Sequence, residues 1–315
     1  MKYRKVTIVG AGAVGSTFAY SLLQSGLASE IALIDRNQEM LEGQVLDLLH
    51  GLPYYPPVDI HRGEASDYTD SQVIVITAGS SQRPGETRLD LLSRNAGIIE
   101  GIVTEITNAG SQAIILMVSN PVDVLTYVAL KKSGWSKDRV IGSGTVLDTA
   151  RFRYLLSHHC DVDVRNVHAY ILGEHGDSEF AAWSMTHVAG VPIEEYCPVC
   201  RHCEDWEVER ARIEQAVRES AYHIINYKGA TYYAIGLALV SIVGAILRDQ
   251  RSVLTVSTLI EGEYGIENVC LSVPCILSGQ GVARIIEAEI SPQEVDALKR
   301  SASVLRRSLD ELGRA

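Results

Sequence analysis

The sequence predicts an α/β chain: a doubly wound parallel sheet followed by an α+β half. Short apolar runs alternate with helix-period segments throughout the first half, as a sheet covered by helices on both faces requires. A glycine-rich turn joins the first run to the first helix. Past Gly144 the alternation gives way to long helices and two β-rich runs. In order, the strands are expected at 5–9, 30–35, 58–62, 72–78, 113–119 and 139–142, about six in one sheet, with helices such as 14–25, 89–108 and 122–133 between them. Beyond 144 the patterning predicts a helix over 146–159, a mixed region over 164–191, and helical runs around 204–226 and 233–247. The β-rich runs 253–261 and 268–277 follow, and a charged amphipathic helix over 292–312 closes the chain. The boundary falls near 144, giving domains 1–143 and 144–315.

The 315 residues are 46% hydrophobic and 21% charged, an ordinary globular composition for one large or two moderate domains. A formal net charge of -11, with no stripe of Lys and Arg, argues against nucleic-acid binding. The longest apolar stretch, 234–247, falls short of the roughly 20 residues a bilayer demands. The first residues enter a strand with no signal-peptide core, so a cytoplasmic protein without membrane contact is expected. Of six cysteines, Cys160, Cys270 and Cys275 sit in apolar surroundings, which suits reduced thiols in a reducing compartment.

Between the first strand and first helix stands Gly10-Ala11-Gly12-Ala13-Val14-Gly15. Glycines at this spacing permit a tight turn and let a pyrophosphate approach the backbone, where a helix N-terminus offers N–H groups and partial positive charge. Asp35 ends the second strand some 20 residues further on, placed to hold ribose hydroxyls. Together they define a Rossmann-type dinucleotide site with Gly10, Gly12, Val14, Gly15 and Asp35 as cofactor residues. The Asp35 carboxylate repels a 2′-phosphate, which favours NAD over NADP, although Arg36 beside it softens that preference.

Several further segments, in one order along almost the whole chain, resemble the active-site segments of bacterial L-lactate dehydrogenases. They are 144–153 (GTVLDTARFR), 173–177 (GEHGD), the loop 82–90 (QRPGETRLD), 119–123 (SNPVD) and 229–233 (GATYY). Hydride transfer from a secondary alcohol needs a group near neutral pKa for the hydroxyl proton, and His175 qualifies at an ordinary value of about 6.5. Asp148 can orient its imidazole, and Arg151, three residues on along a helix, offers a planar fork for a substrate carboxylate. The resemblance implies that Arg88 polarises the ketone on a loop that closes over substrate, and that Asn120 adds a hydrogen bond to the same oxygen. It also assigns Gly79, Ser80, Asn120 and Ser143 to the cofactor and implies a homotetramer.

Substrate choice turns on Gln82. In related malate dehydrogenases this position resembles an arginine that pairs a second carboxylate; Gln82 is neutral, and Thr231 is placed against the substrate methyl. Pyruvate and L-lactate are therefore expected, with a broader L-2-hydroxyacid dehydrogenase as the alternative, separable by activity on branched 2-keto acids. Arg153 and His168 match the fructose 1,6-bisphosphate site of allosteric bacterial relatives, so activation by that effector is expected. Outside the resemblance, Cys197, Cys200 and Cys203 have the spacing of zinc or iron–sulfur ligands. His202 lies next to Cys203 and no second pair stands nearby, so the run reads as a free-thiol loop before a helix near Asp205, with no metal.

Overall fold

The computed structural model describes residues 4–80, 85, 87–200 and 205–313. The first half runs β1 (Lys5–Val9), α1 (Ala13–Ser25), β2 (Glu30–Ile34), α2 (Gln38–His50), β3 (Asp59–Arg62), β4 (Val73–Ile76), α3 (Arg88–Asn108), β5 (Ile114–Met117), α4 (Val122–Ser133) and β6 (Val140–Gly142). The second begins with α5 (Val146–Cys160) and a set of two-residue strands: β7 (Val167–His168), β8 (Ile171–Leu172), β9 (Phe180–Ala181), β10 (His187–Val188) and β11 (Val191–Pro192). Then come α6 (Ile193–Cys200), α7 (Trp206–Lys228), α8 (Tyr233–Leu247), β12 (Ser252–Glu261), β13 (Glu267–Ser278), β14 (Gly281–Ile285) and α9 (Pro292–Glu311).

The six expected parallel strands lie in the order β3-β2-β1-β4-β5-β6, so direction of travel across the sheet reverses between β1 and β4. Ligands bind outside the carboxyl ends of strands at such a switch point. β1, β4 and β5 are buried along their whole length, which explains why they read as continuous apolar runs rather than alternating ones. The sheet does not stop at β6. β12 bridges antiparallel to it at Ser257–Gly142, and β13 and β14 extend the sheet to nine strands among the described residues. Covering the edge of β6 with a buried hairpin removes an open row of backbone donors and acceptors.

A second, smaller core collects Phe152, Leu156 and Cys160 of α5, Ile193 and Cys197 of α6, and Ile213 and Val217 of α7. Here the structure corrects the reading of the cysteine run. Cys197 and Cys200 lie on α6 rather than in a loop, and Cys197 is buried with Ile193, four residues away on the same helical face. Arg201, His202 and Cys203 fall outside the described residues. Among the described residues no helix is long and apolar enough to cross a membrane.

Candidate active site

Gly10 follows β1 with φ 106°, and a Cβ there would stand 2.6 Å from the amide nitrogen of Ala78. A Cβ on Gly15 would come within 1.8 Å of the Gly10 carbonyl oxygen, so α1 packs onto the turn only because nothing projects from it. Gly12 is the opposite case. Nothing lies within 4 Å of its Cβ position, and no side chain caps α1, so the first N–H groups of the helix, Val14 among them, border open space. That opening fits a dinucleotide pyrophosphate. Asp35 accepts hydrogen bonds from Ala11 N at 2.8 Å and Asn37 N at 2.9 Å, which aims its carboxylate between the glycine turn and α2. Each oxygen keeps a further lone pair for a ribose hydroxyl.

Gly79 and Ser80 follow β4, across the switch point. Ser80 N donates to Asn95 Oδ1 at 2.9 Å, Arg94 Nη1 donates to Ser80 Oγ, and Asn95 Nδ2 reaches the Asn120 carbonyl at 3.3 Å. Asn95, buried on the inner face of α3, thus ties two of the expected cofactor segments together. Asn120 is exposed after β5, and Ser143 is buried after β6 with its N–H given to Met117 O. These segments share the carboxyl edge of the sheet.

The second part of the site is a chain of charges. Asp148, in the first turn of α5 and only 2% exposed in its side chain, receives Arg151 Nη1 on Oδ1 at 2.7 Å and His175 Nδ1 on Oδ2 at 2.6 Å. The expected helical pairing of Asp148 with Arg151 is therefore present, but it is buried and extended to the imidazole. His175 is brought in by the Gly173 loop, held from three sides. Gly173 exchanges backbone hydrogen bonds with Ser272 of β13, Glu174 N donates to Ser301 Oγ of α9 at 2.6 Å, and His175 N donates to Asp123 Oδ2 of α4 at 2.8 Å.

Electrostatics follow from that geometry. Burial opposes charge on His175, but the Asp148 carboxylate prevails and its pKa is pushed up to about 9, a correction to the ordinary value expected from sequence. Burial likewise opposes ionisation of Asp148, and the two cations overrule it, holding the carboxyl below its usual range. Glu179, 5% exposed, presents its carboxyl to the same cluster, where burial and the neighbouring Asp148 push it up to about 9. Burial raises Asp123 to about 6. Burial and Asp148 thus hold Glu179 towards its neutral form, so it does little to offset the positive charge of Arg151 and His175. With Nδ1 engaged, the imidazolium can offer only Nε2–H to the cleft.

Other expected residues stand elsewhere. Thr231 is half-buried between α7 and α8, Arg153 lies on α5 with Nη2 donating to Val164 O at 3.2 Å, and His168 is exposed on β7. Arg88 is the first residue of α3, whose start is fixed by a capping box of Thr87 and Asp90. Gln82 lies outside the described residues. Sequence reasoning passed over Asn95, Asp123 and Glu179. Asn95 and Asp123 had a signal, a polar side chain within a buried helical stripe; Glu179 had none, since only the fold turns it towards Asp148.

One half of this edge accommodates a dinucleotide and the other presents a proton donor beside a guanidinium, the two requirements of alcohol–ketone redox chemistry. A chain built for both is an NAD-dependent oxidoreductase. It belongs to the lactate/malate dehydrogenase family: residues 4–142 match the NAD binding domain of that family and 145–314 its alpha/beta C-terminal domain. It is 59% identical to the L-lactate dehydrogenase of Treponema denticola over 99% of both chains. It is 52% identical to the L-lactate dehydrogenase of Acetivibrio thermocellus over 98% of this chain and 97% of that one. Among solved structures, a ligand-bound minor L-lactate dehydrogenase from Enterococcus mundtii superposes with a TM-score of 0.95 at 45% identity, covering 98% of each chain. The cofactor is NAD.

Proposed function

We propose that the chain is an L-lactate dehydrogenase, reducing pyruvate to L-lactate in a cytoplasmic, fermentative setting and catalysing the reverse reaction. One observation carries this reading: an imidazolium locked through Nδ1 by a buried aspartate that also holds a guanidinium. When bound, NADH supplies the hydride to the ketone carbon. His175 donates its Nε2 proton to the ketone oxygen, leaving neutral imidazole and a secondary alcohol; in reverse the neutral ring accepts that proton. Arg151 spends one N–H on Asp148 and uses others to hold the substrate carboxylate. Arg88 and Asn120 steady the developing oxyanion, and Thr231 limits bulk beside the methyl group. Gly10, Gly12, Val14, Gly15, Asp35, Gly79, Ser80 and Ser143 bind the cofactor, residues 1–143 forming its domain and 144–315 the substrate and assembly domain.

The one guanidinium of the described cluster, Arg151, can fork one substrate carboxylate, and neutral Gln82 offers a second carboxylate no counter-charge. NADH oxidation with pyruvate and with oxaloacetate tests this. Pyruvate should give the higher kcat/KM, and Gln82→Arg should shift the ratio towards oxaloacetate; an unchanged ratio counts against the role of Gln82. Fructose 1,6-bisphosphate is the proposed activator, bound through Arg153 and His168. In support, Arg153 has a buried Nε without a partner among the described residues, and Tyr154 beside it is 58% exposed, as a surface completed by another subunit of a homotetramer would be. A lower pyruvate KM in the presence of the bisphosphate, measured at two pH values, checks the activation, and no change at either pH defeats it.

A further inference from the structure

Ketone reduction brings a hydride to a carbon and a proton to the oxygen bonded to it, about 1.2 Å away. The two donors belong to different halves of the chain: the cofactor segments precede residue 144, and His175 follows it. Three of the contacts that hold His175 and its loop come from its own half. Gly173 exchanges hydrogen bonds with Ser272 of β13, Glu174 N donates to Ser301 Oγ of α9 at 2.6 Å, and Nδ1 meets Asp148 at 2.6 Å. The fourth crosses over. His175 N donates at 2.8 Å to Oδ2 of Asp123, which lies in the first turn of α4, three residues after Asn120. One short segment therefore carries a group expected on the ketone oxygen and the acceptor for the main chain of the proton donor.

Such a tie needs only a neutral oxygen, and a buried carboxylate is costly. Asp123 is 2% exposed, and burial pushes its carboxyl up to about 6, against the lowering effects of the Ser257 hydroxyl of β12, the His175 N–H and the imidazole. The start of α4 favours its charge as well. Its titratable neighbours are His175 and Glu174 on the loop and Cys270 on β13, whose thiol burial and the Asp123 charge push up. The attraction to His175 is mutual, since Asp123 stands behind Asp148 among the carboxylates that raise the imidazole. We propose, building on the lactate dehydrogenase reading above, that Asp123 is a positioning residue: it sets the main chain of His175 against the cofactor half, and its charge supports the imidazolium.

Two substitutions in the full-length protein separate the tie from the charge. Asp123→Ala removes both, whereas Asp123→Asn keeps an oxygen for the His175 N–H and turns its NH2 towards the Ser257 hydroxyl. In Asp123→Ala, kcat for pyruvate reduction should fall at least about tenfold, with NADH affinity unchanged and a larger isotope effect from NADH deuterated at the transferred position. A merely destabilised chain loses active molecules and leaves that isotope effect where it was. Asp123→Asn should recover most of the rate below the pH at which the ring loses its charge. Its His175 ring should nevertheless titrate at least about half a pH unit lower, followed by NMR on the signal that His175→Asn lacks. Should Asp123→Ala fail to fold, the ring titration of Asp123→Asn decides. A folded Asp123→Ala with an unchanged isotope effect, or an unmoved ring titration in Asp123→Asn, overturns the proposal. The ring titration needs no substrate, so a wild-type chain inert towards pyruvate would count against the dehydrogenase reading while the titration still judged Asp123.

Discussion

The cofactor cradle and the proton-transfer cluster face the same edge of the sheet and are specified by different physics. The cradle is main chain: Gly10 and Gly15 matter for the atoms they lack, and the groups proposed to bind the cofactor are N–H donors at the start of α1. The cluster is side chain: Asp148, Arg151 and His175 matter for charge, and four elements far apart in sequence converge to hold them. The first is thus a steric device, sensitive to a single added methyl and indifferent to modest charge changes nearby. The second is electrostatic, tolerant of small shape changes and intolerant of a lost carboxylate or imidazole. Substitutions that exchange these sensitivities test the contrast.

The largest effect is expected at His175. His175→Asn removes the proton donor and should lower kcat for pyruvate reduction by about three orders of magnitude, within the range general acid catalysis supplies, while leaving NADH affinity unchanged by fluorescence titration. A loss below about tenfold would place the proton transfer elsewhere. Asp148→Asn should cost about two orders of magnitude and change the pH profile as well. Because Asp148 raises His175 to about 9, the wild-type imidazolium persists at neutral pH, and pyruvate reduction should fall only as pH passes through that value. Lactate oxidation needs the neutral ring and should rise over the same interval. Without the carboxylate both limbs should move to lower pH; a profile that stays in place would show that Asp148 does not set the imidazole.

Within the cradle the effects are smaller and divide by position. Gly15→Ala forces a Cβ against the Gly10 carbonyl, so it should lower both Tm and NADH affinity. Gly12→Ala meets no atom of the protein, so Tm should hold while NADH affinity falls roughly tenfold as the methyl enters the pyrophosphate's space. Equal losses of stability in the two variants would contradict the packing described for the turn.

This division also explains how much could be read from the chain alone. The cradle is local, so glycine spacing and one acid at the end of β2 announced it, and β1, β4 and β5 announced themselves because full burial leaves continuous apolar runs. The members of the cluster were recognisable by type and by resemblance, but not its electrostatics. An unperturbed His175 was the only value sequence offered, since the burial and the Asp148 contact that shift it arise from contacts between α5 and a loop 27 residues away. Glu179 was illegible for the same reason. The joining of β12 to β6 was hidden because a single bridge, Ser257 to Gly142, carries it.

Asp35 belongs to both kinds of region, and its substitution should have the smallest effect. As a hydrogen-bond acceptor it is part of the backbone device, tied to Ala11 N and Asn37 N. As a carboxylate it is the charge proposed to disfavour a 2′-phosphate, against the neighbouring Arg36. Asp35→Asn keeps an oxygen for Ala11 N–H but turns an NH2 towards the Asn37 donor, so part of the tether is lost with the charge. Removing one unit charge about 4 Å from a 2′-phosphate relieves about 1 kcal/mol in water, enough to narrow the preference for NADH over NADPH by several-fold but not to invert it. The ratio of kcat/KM for the two cofactors measures this. A preference that does not move would mean that Asp35 acts through its hydrogen bonds alone, and that discrimination in the cradle is steric throughout.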